Sequence, residues 1–188
     1  MRRPTIRGSK RRAGLYRLRT ELTEYARASF STGRPLVDAA TDFMVRIHND
    51  FTYDSKATNV RTHAIDAFKA RRGVCQDFAH VMISGLKGLG LPAAYVSGYL
   101  RTTPPPGRPR LEGADATHAW VSLWCGEELG WVGLDPTNAM RVENDHIVLA
   151  TGRDYSDVAP IDGIILAPGE QQLKVEVDVV PQDETVIL

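Results

Sequence analysis

The sequence predicts a single α+β domain in which helices pack on an antiparallel β-sheet. Apolar residues recur at three- and four-residue steps over residues 36–51 and 75–89, as they do in amphipathic helices. Residues 117–124 and 131–134 are rich in aromatic and β-branched residues and flank a short polar break, which is typical of a β-hairpin. A chain of 188 residues, 43% of them hydrophobic, can bury a core of its own.

The N-terminal part is basic, and the chain as a whole is neutral. Residues 1–14 are expected to form a mobile basic arm ahead of a folded domain over residues 15–188. The arm lacks the apolar segment of a secretory signal, and no apolar run approaches the roughly 20 residues that span a bilayer. A net charge of zero gives no sign of a nucleic-acid or membrane partner. Two cysteines are too few for a disulfide framework, so a reducing, cytoplasmic location is expected.

Three helices are predicted before the first cysteine. Residues 15–30 have helical spacing and end before a polar break that contains Gly33 and Pro35. Residues 36–51 form the stronger amphipathic pattern. A short helix follows over residues 62–70, with Thr62 as its N-cap and Gly73 after its end.

Cys75 is predicted to lie at the first turn of a buried helix that stops near Gly90. The unpaired N–H groups and the positive end of the helix dipole favour a thiolate over a thiol at such a position. Cys75 is therefore a candidate nucleophile, which needs a base to activate it.

The predicted hairpin supplies that base and a carboxylate. His118 stands near the start of its first strand, and Asp135 stands at the end of its second. Antiparallel pairing would place the two side by side, so that Asp135 orients the imidazole while the imidazole faces Cys75. Asp115 is a rival orienter, but it falls in a Pro-rich loop over residues 102–116 that should border the cleft.

The remaining strands are expected to complete the sheet. Residues 93–100 are expected to form a strand that follows the Cys75 helix. Three further segments have strand character, and the last alternates apolar and acidic residues. They comprise residues 146–150, 163–167 and 173–179.

Four motifs carry a resemblance to a known family. They are residues 72–79, 95–99, 118–121 and 131–138, in that order along the chain. Together they resemble the bacterial transglutaminase-like proteins of the transglutaminase/papain-like thiol superfamily. The resemblance covers residues 43–138 and implies a papain-like/transglutaminase-like core with the nucleophile at a helix N-terminus. Related proteins usually carry a β-rich domain ahead of this part, so the sequence represents either a short member or a start internal to a longer protein.

The resemblance also implies roles for single residues. Cys75 would be the nucleophile, His118 the general base and Asp135 the residue that orients it. Related enzymes use an aromatic donor upstream of the cysteine to hold the oxyanion; Tyr53 takes that place here, unless it is a packing residue, and Gln76 would line the site. The domain over residues 15–188 would then be catalytic and act on a peptide or protein substrate.

The reaction itself is left open by these motifs. A cysteine peptidase or amidase that resolves a thioester with water is favoured, because no feature marks a lysine-binding channel. The alternatives are a transglutaminase that forms isopeptide bonds and a non-catalytic module that binds peptides in the cleft. The rate of Cys75 alkylation, measured as a function of pH, would distinguish a catalytic thiolate from the ordinary thiol of a binding module.

No cofactor and no metal are expected. The sequence has neither a Gly-rich phosphate loop nor a dinucleotide fingerprint. No Cys-x-x-Cys or His-x-x-x-His spacing supports a metal site. The histidines other than His118 are therefore read as core or surface residues, and they are His48, His63, His80 and His146.

Overall fold

The computed structural model describes residues 16–101, 117–159 and 176–180. Its helices are α1 (Thr20–Arg27), α2 (Leu36–Asp50), α3 (Ala64–Ala70), α4 (Cys75–Gly88) and α5 (Tyr155–Val158). Its strands are β1 (Thr52–Tyr53), β2 (Arg72–Gly73), β3 (Ala93–Leu100), β4 (Thr117–Trp124), β5 (Trp131–Asp135), β6 (Met140–Arg141) and β7 (His146–Gly152). Among these described helices, none has the length and apolar character needed to cross a membrane.

Five strands form an antiparallel sheet in the order β6-β5-β4-β3-β7. The pairing of β4 with β5 is the predicted hairpin, and β7 joins the far side of β3. Strands β1 and β2 form a separate parallel pair, which no pattern in the sequence indicates. The α+β prediction is confirmed, with an antiparallel sheet on which the helices pack.

Helix α4 is the centre of the core. It packs against β3 and β4 on one side and against α1, α2 and α3 on others, so residues 76–86 are all buried. Each fully buried side chain of the size of leucine contributes roughly 1.5–3 kcal/mol through removal of apolar surface from water. The largest apolar side chains of this core include Leu22, Phe43, Ile47, Met82, Leu86 and Leu123.

Some element ends differ from the prediction. Helix α1 covers only part of the predicted stretch, and α3 begins at Ala64 because the Thr62 hydroxyl accepts the N–H of Asn59 instead of capping it. Residues 176–180 have no regular secondary structure, so the end of the predicted strand over 173–179 is wrong. Four other predicted features lie outside the described residues: the arm over 1–14, the loop over 102–116, the strand over 163–167 and the start of the strand over 173–179.

His80 gives the fold a pH dependence. It is fully buried on α4, its Nε2 accepts the N–H of Tyr155 at 3.2 Å, and burial lowers its pKa to about 4. The unfolded chain binds a proton at this site below about pH 6.5 and the folded chain does not, so stability should fall as the pH drops from about 6.5 to 4. The loss should reach at most about 3 kcal/mol and should shrink in His80→Gln, as measured by urea unfolding across this pH range. An unchanged acid loss in His80→Gln would contradict the assignment.

Candidate active site

Cys75 is the first residue of α4 and is half-buried. The turn before it is fixed by Asp77, whose Oδ2 accepts the N–H of Val74 at 2.9 Å and the hydroxyl of Thr58 at 2.6 Å. Burial raises the pKa of Asp77, although both hydrogen bonds act in the opposite direction. The thiol therefore stands at a well-defined helix N-terminus.

His118 faces both Cys75 and Asp135. Its Nε2 lies 2.7 Å from Asp135 Oδ2, which leaves Nδ1 as the ring nitrogen available to Cys75. Burial alone would lower the pKa of His118, but hydrogen bonds and negative charge from Asp135 and Cys75 raise it to about 9. The ring is therefore an imidazolium at neutral pH, poised against the sulfur on one side and a carboxylate on the other.

Asp135 is fully buried and surrounded by donors. Its Oδ1 accepts the backbone N–H groups of Thr137 and Asn138 at 2.9 and 3.2 Å. Its Oδ2 accepts Asn138 Nδ2 at 2.7 Å and lies 3.3 Å from His146 Nε2, in addition to its bond with His118. Burial would raise the pKa of Asp135, but these donors and the charge of His118 hold it well below its usual range.

Strand geometry brings these side chains to one edge of the sheet. Gly98 on β3 pairs with His118 on β4, and the Trp120 ring lies directly over it. A Cβ on Gly98 would stand 2.5 Å from the Trp120 ring and would also meet the backbone carbonyl of Ile147. The glycine thus lets Trp120 sit beneath the site, with its ring 5.1 Å from His146 and 6.1 Å from His118.

Tyr53 and Gln76 flank the cysteine differently. Tyr53 pairs with Gly73 across the β1–β2 ladder, is 58% exposed, and has a pKa raised by burial and by the negative charge of Cys75. Gln76 is buried, and its Nε2 donates to the carbonyl of Val60 at 3.2 Å. Tyr53 is therefore an exposed residue near enough to Cys75 to sense its charge, while the Gln76 amide holds the loop that follows β1.

Two contacts to Asp135 have no counterpart among the sequence-based predictions. Asn138 and His146 both reach its Oδ2, and nothing in their spacing signals it. His118, Asp135 and His146 also place one potential ligand atom each within 4.8 Å of one another, which is a donor set that a divalent metal can use. The expectation of a core or surface histidine at position 146 fits its burial but not its contact with the carboxylate.

Comparison with known sequences identifies the family. The family model of the transglutaminase-like superfamily matches residues 23–136. An uncharacterized protein of Mycobacterium tuberculosis is 51% identical over 162 residues, which are 84% of this chain and 52% of that protein. A protein-glutamine gamma-glutamyltransferase of Pseudomonas aeruginosa is 34% identical over 121 residues, 61% of this chain and 18% of that protein. The chain thus spans about half the length of the curated mycobacterial relative.

Among solved structures, a protein from Cytophaga hutchinsonii described as a candidate cysteine protease has a similar fold. Its TM-score is 0.61 at 31% sequence identity, over 74% of this chain and 44% of that chain. The helices and antiparallel sheet found here are therefore those of a known transglutaminase-like, papain-like domain. The family match and this likeness together show that the chain belongs to the transglutaminase-like superfamily.

Proposed function

We propose that the protein is a cysteine-dependent acyl-transfer enzyme that acts on peptide or carboxamide bonds through Cys75, His118 and Asp135. One observation carries the proposal: His118 Nε2 lies 2.7 Å from the buried Asp135, and the ring is close enough to Cys75 at the start of α4 for the sulfur to raise its pKa. A nucleophile, a base and an orienting carboxylate in one line are the requirements for nucleophilic acyl transfer.

The proposed reaction begins with attack of the Cys75 sulfur on the carbonyl carbon of the substrate. The C–N bond then breaks, the leaving amine takes the proton of the His118 imidazolium, and a thioester remains on Cys75. Neutral His118 next accepts a proton from water or from an incoming amine, which attacks the thioester. The sulfur leaves as a thiolate, and the imidazolium is restored.

The oxyanion formed in each step needs hydrogen-bond donors. As the first residue of α4, Cys75 has a backbone N–H without an acceptor inside the helix, and we assign the oxyanion to it. The hydroxyl of Tyr53 is the proposed second donor, since Tyr53 is near enough for the charge of Cys75 to raise its pKa. Gln76 is the proposed lining residue next to Cys75, with its amide bound to the carbonyl of Val60.

Hydrolysis is the proposed outcome, with a peptide or protein as substrate. The likeness to a candidate cysteine protease supports it, and the sequence has no feature that marks a lysine-binding channel. Formation of an isopeptide bond is the second candidate, because a relative that is 34% identical is named a protein-glutamine gamma-glutamyltransferase. We also propose a reducing, cytoplasmic location, which would keep Cys75 in the thiol form that the reaction needs.

A trapping experiment tests the proposal. The protein is incubated with a library of glutamine-containing peptides, with and without a labelled primary amine, and then quenched in acid for intact mass spectrometry. We expect an acyl adduct on Cys75, with peptide cleavage or ammonia release in water alone. Capture of the label in preference to water would instead assign the transglutaminase reaction. Peptide binding without any adduct, together with an ordinary pH dependence of Cys75 alkylation, would assign the non-catalytic binding module.

A further inference from the structure

His146 is buried beside the carboxylate of the site, and the proposed mechanism gives it no role. Its side chain has no exposed surface, and its Nε2 lies 3.3 Å from the same Asp135 oxygen that binds His118. The edge of its ring packs against Trp120, with the ring centroids 5.1 Å apart and the planes at 77°. Its position is therefore fixed by packing as well as by the polar contact.

The contact defines which nitrogen of His146 carries the proton. An ionised carboxylate has no proton to give, so Nε2 must donate to Asp135. In the neutral ring Nδ1 is then an acceptor, and among the described residues it has no hydrogen-bond partner. A buried acceptor without a partner is tolerated better than a buried N–H without one, so this tautomer suits the site.

We propose that His146 is a positioning residue: its Nε2–H holds the Asp135 carboxylate ionised and in the orientation that aligns His118 with Cys75. This inference rests on the proposed acyl-transfer function. The carboxylate is deeply buried, and burial alone favours its neutral form, so each donor to it helps to preserve the charge that the imidazolium needs.

The pH test depends on which titratable groups surround the cluster formed by His118, Asp135 and His146. Cys75 of α4 faces this cluster, and His48 of α2 contacts the carbonyl of Thr137 beside it. Tyr53 of β1 and Tyr95 of β3 are near the Cys75 thiol. Neither tyrosine loses its proton in the acid range, because burial raises the pKa of both. His48 contacts a backbone carbonyl and Asp77 accepts the N–H of Val74 before Cys75, so neither contact involves His146. A change in the acid limb after replacement of His146 therefore reports on Asp135, His118 and Cys75.

The test compares two replacements of His146 and one of a histidine elsewhere. His146→Gln keeps an N–H near the Nε2 position, and His146→Leu removes the donor while filling the space. His80→Leu is the matched control, since His80 is equally buried and packs against Tyr95 away from the carboxylate. The rate of Cys75 alkylation by iodoacetamide is measured from about pH 5 to pH 9, with thermal unfolding of each variant.

We expect His146→Leu to slow alkylation at about pH 6 by roughly tenfold or more and to move the acid limb to higher pH. His146→Gln should stay within about threefold of the wild type, and His80→Leu should unfold at a lower temperature without any change in the pH profile. A His146→Leu profile that superimposes on the wild type, or a His146→Gln variant as impaired as His146→Leu, would overturn the proposal.

The role of His146 can be separated both from turnover and from metal binding. Alkylation needs no substrate, so a protein that fails to turn over any peptide still reports whether His146 positions the pair of Cys75 and His118. Dialysis against a chelator should leave the wild-type profile unchanged. If it removes the low-pH reactivity, a metal bound by His118, Asp135 and His146 accounts for the arrangement and the hydrogen-bond role is wrong.

Discussion

Replacement of Cys75 by alanine is expected to lower kcat/KM by about 10⁵-fold or more, because no other side chain at the site can form the acyl intermediate. The fold should remain intact, since the helix start depends on Asp77 and its bonds to Val74 and Thr58 rather than on the sulfur. Turnover is measured with a peptide found by the trapping experiment, and folding by thermal unfolding. Retained turnover would refute the assignment of the nucleophile.

Cys125 provides the matched control for that variant. It is the other free thiol, it is half-buried at the end of β4, and burial raises its pKa. Cys125→Ala should keep full activity and should still show one rapidly alkylated cysteine.

A spectroscopic measurement adds evidence that does not depend on substrate. Since Cys75 contributes to the raised pKa of His118, that pKa should fall from about 9 in Cys75→Ala, as followed by NMR titration of the ring. An unchanged titration of His118 would mean that the ring and the sulfur do not interact.

The sequence was sufficient to predict the local elements that carry the three proposed catalytic side chains. Helical spacing predicted the helix that starts at Cys75, and two aromatic-rich segments predicted the β4–β5 hairpin. In the observed register, with Val121 opposite Leu134, His118 and Asp135 are diagonal neighbours on one face of the hairpin, which is close enough for their side chains to bond. Asp115, the rival carboxylate, lies outside the described residues, whereas Asp135 makes the bond.

The role of His146 could not be found in this way. The strand that begins at His146 was predicted, but its place in the sheet was not. Because β7 pairs with β3 rather than with the neighbouring hairpin strand β5, His146 reaches Asp135 only across β3 and β4. That approach depends on the absence of a side chain at Gly98, which a periodic pattern does not reveal.

The ends of short elements also depend on contacts between distant parts of the chain. The predicted end of the short helix at residue 70 is confirmed, but its C-cap is Arg71, which adopts the left-handed region at φ 52°, and not Gly73. This conformation is unfavourable for an arginine. Its guanidinium compensates by stacking over the ring of Phe68 in the same helix and over the rings of Tyr25 and Phe51 from earlier in the chain. Gly73 is then available for the ladder with Tyr53.

The second large effect is expected for Asp135→Asn, which should reduce kcat/KM by about 10³- to 10⁴-fold. Both oxygens of Asp135 accept hydrogen bonds, so the amide nitrogen of asparagine would face donors in either orientation. Without the negative charge, burial would lower the pKa of His118, and the imidazolium would lose its proton at a lower pH. The alkaline limb of the pH–rate profile should therefore move down from about 9.

The same substitution should cost stability, and the sign of its pH dependence follows from the pKa of Asp135. The folded carboxylate has a lowered pKa, so its contribution to stability is present above the ordinary value of about 3.9 and is lost as the pH falls further. At neutral pH, Asp135→Asn should lower the free energy of unfolding by about 3 kcal/mol or more, because it removes the partner of the His118 ring and turns an amide N–H towards buried donors. Urea unfolding measures this loss.

Asp157 on the surface is the control for Asp135, because its replacement measures the loss of unfolding free energy when an exposed ion pair is broken. Asp157 pairs with Arg153 through two bonds of 2.7 Å on the surface, and Asp157→Asn should change stability by less than about 1 kcal/mol. Equal effects of the two substitutions would show that Asp135 acts as an ordinary ion pair and not as the buried support of His118. A large loss of activity in Asp135→Asn with an unmoved alkaline limb would show that the carboxylate orients the ring without sustaining its charge. The pH profile and the unfolding curve together therefore separate the electrostatic role of Asp135 from its structural one.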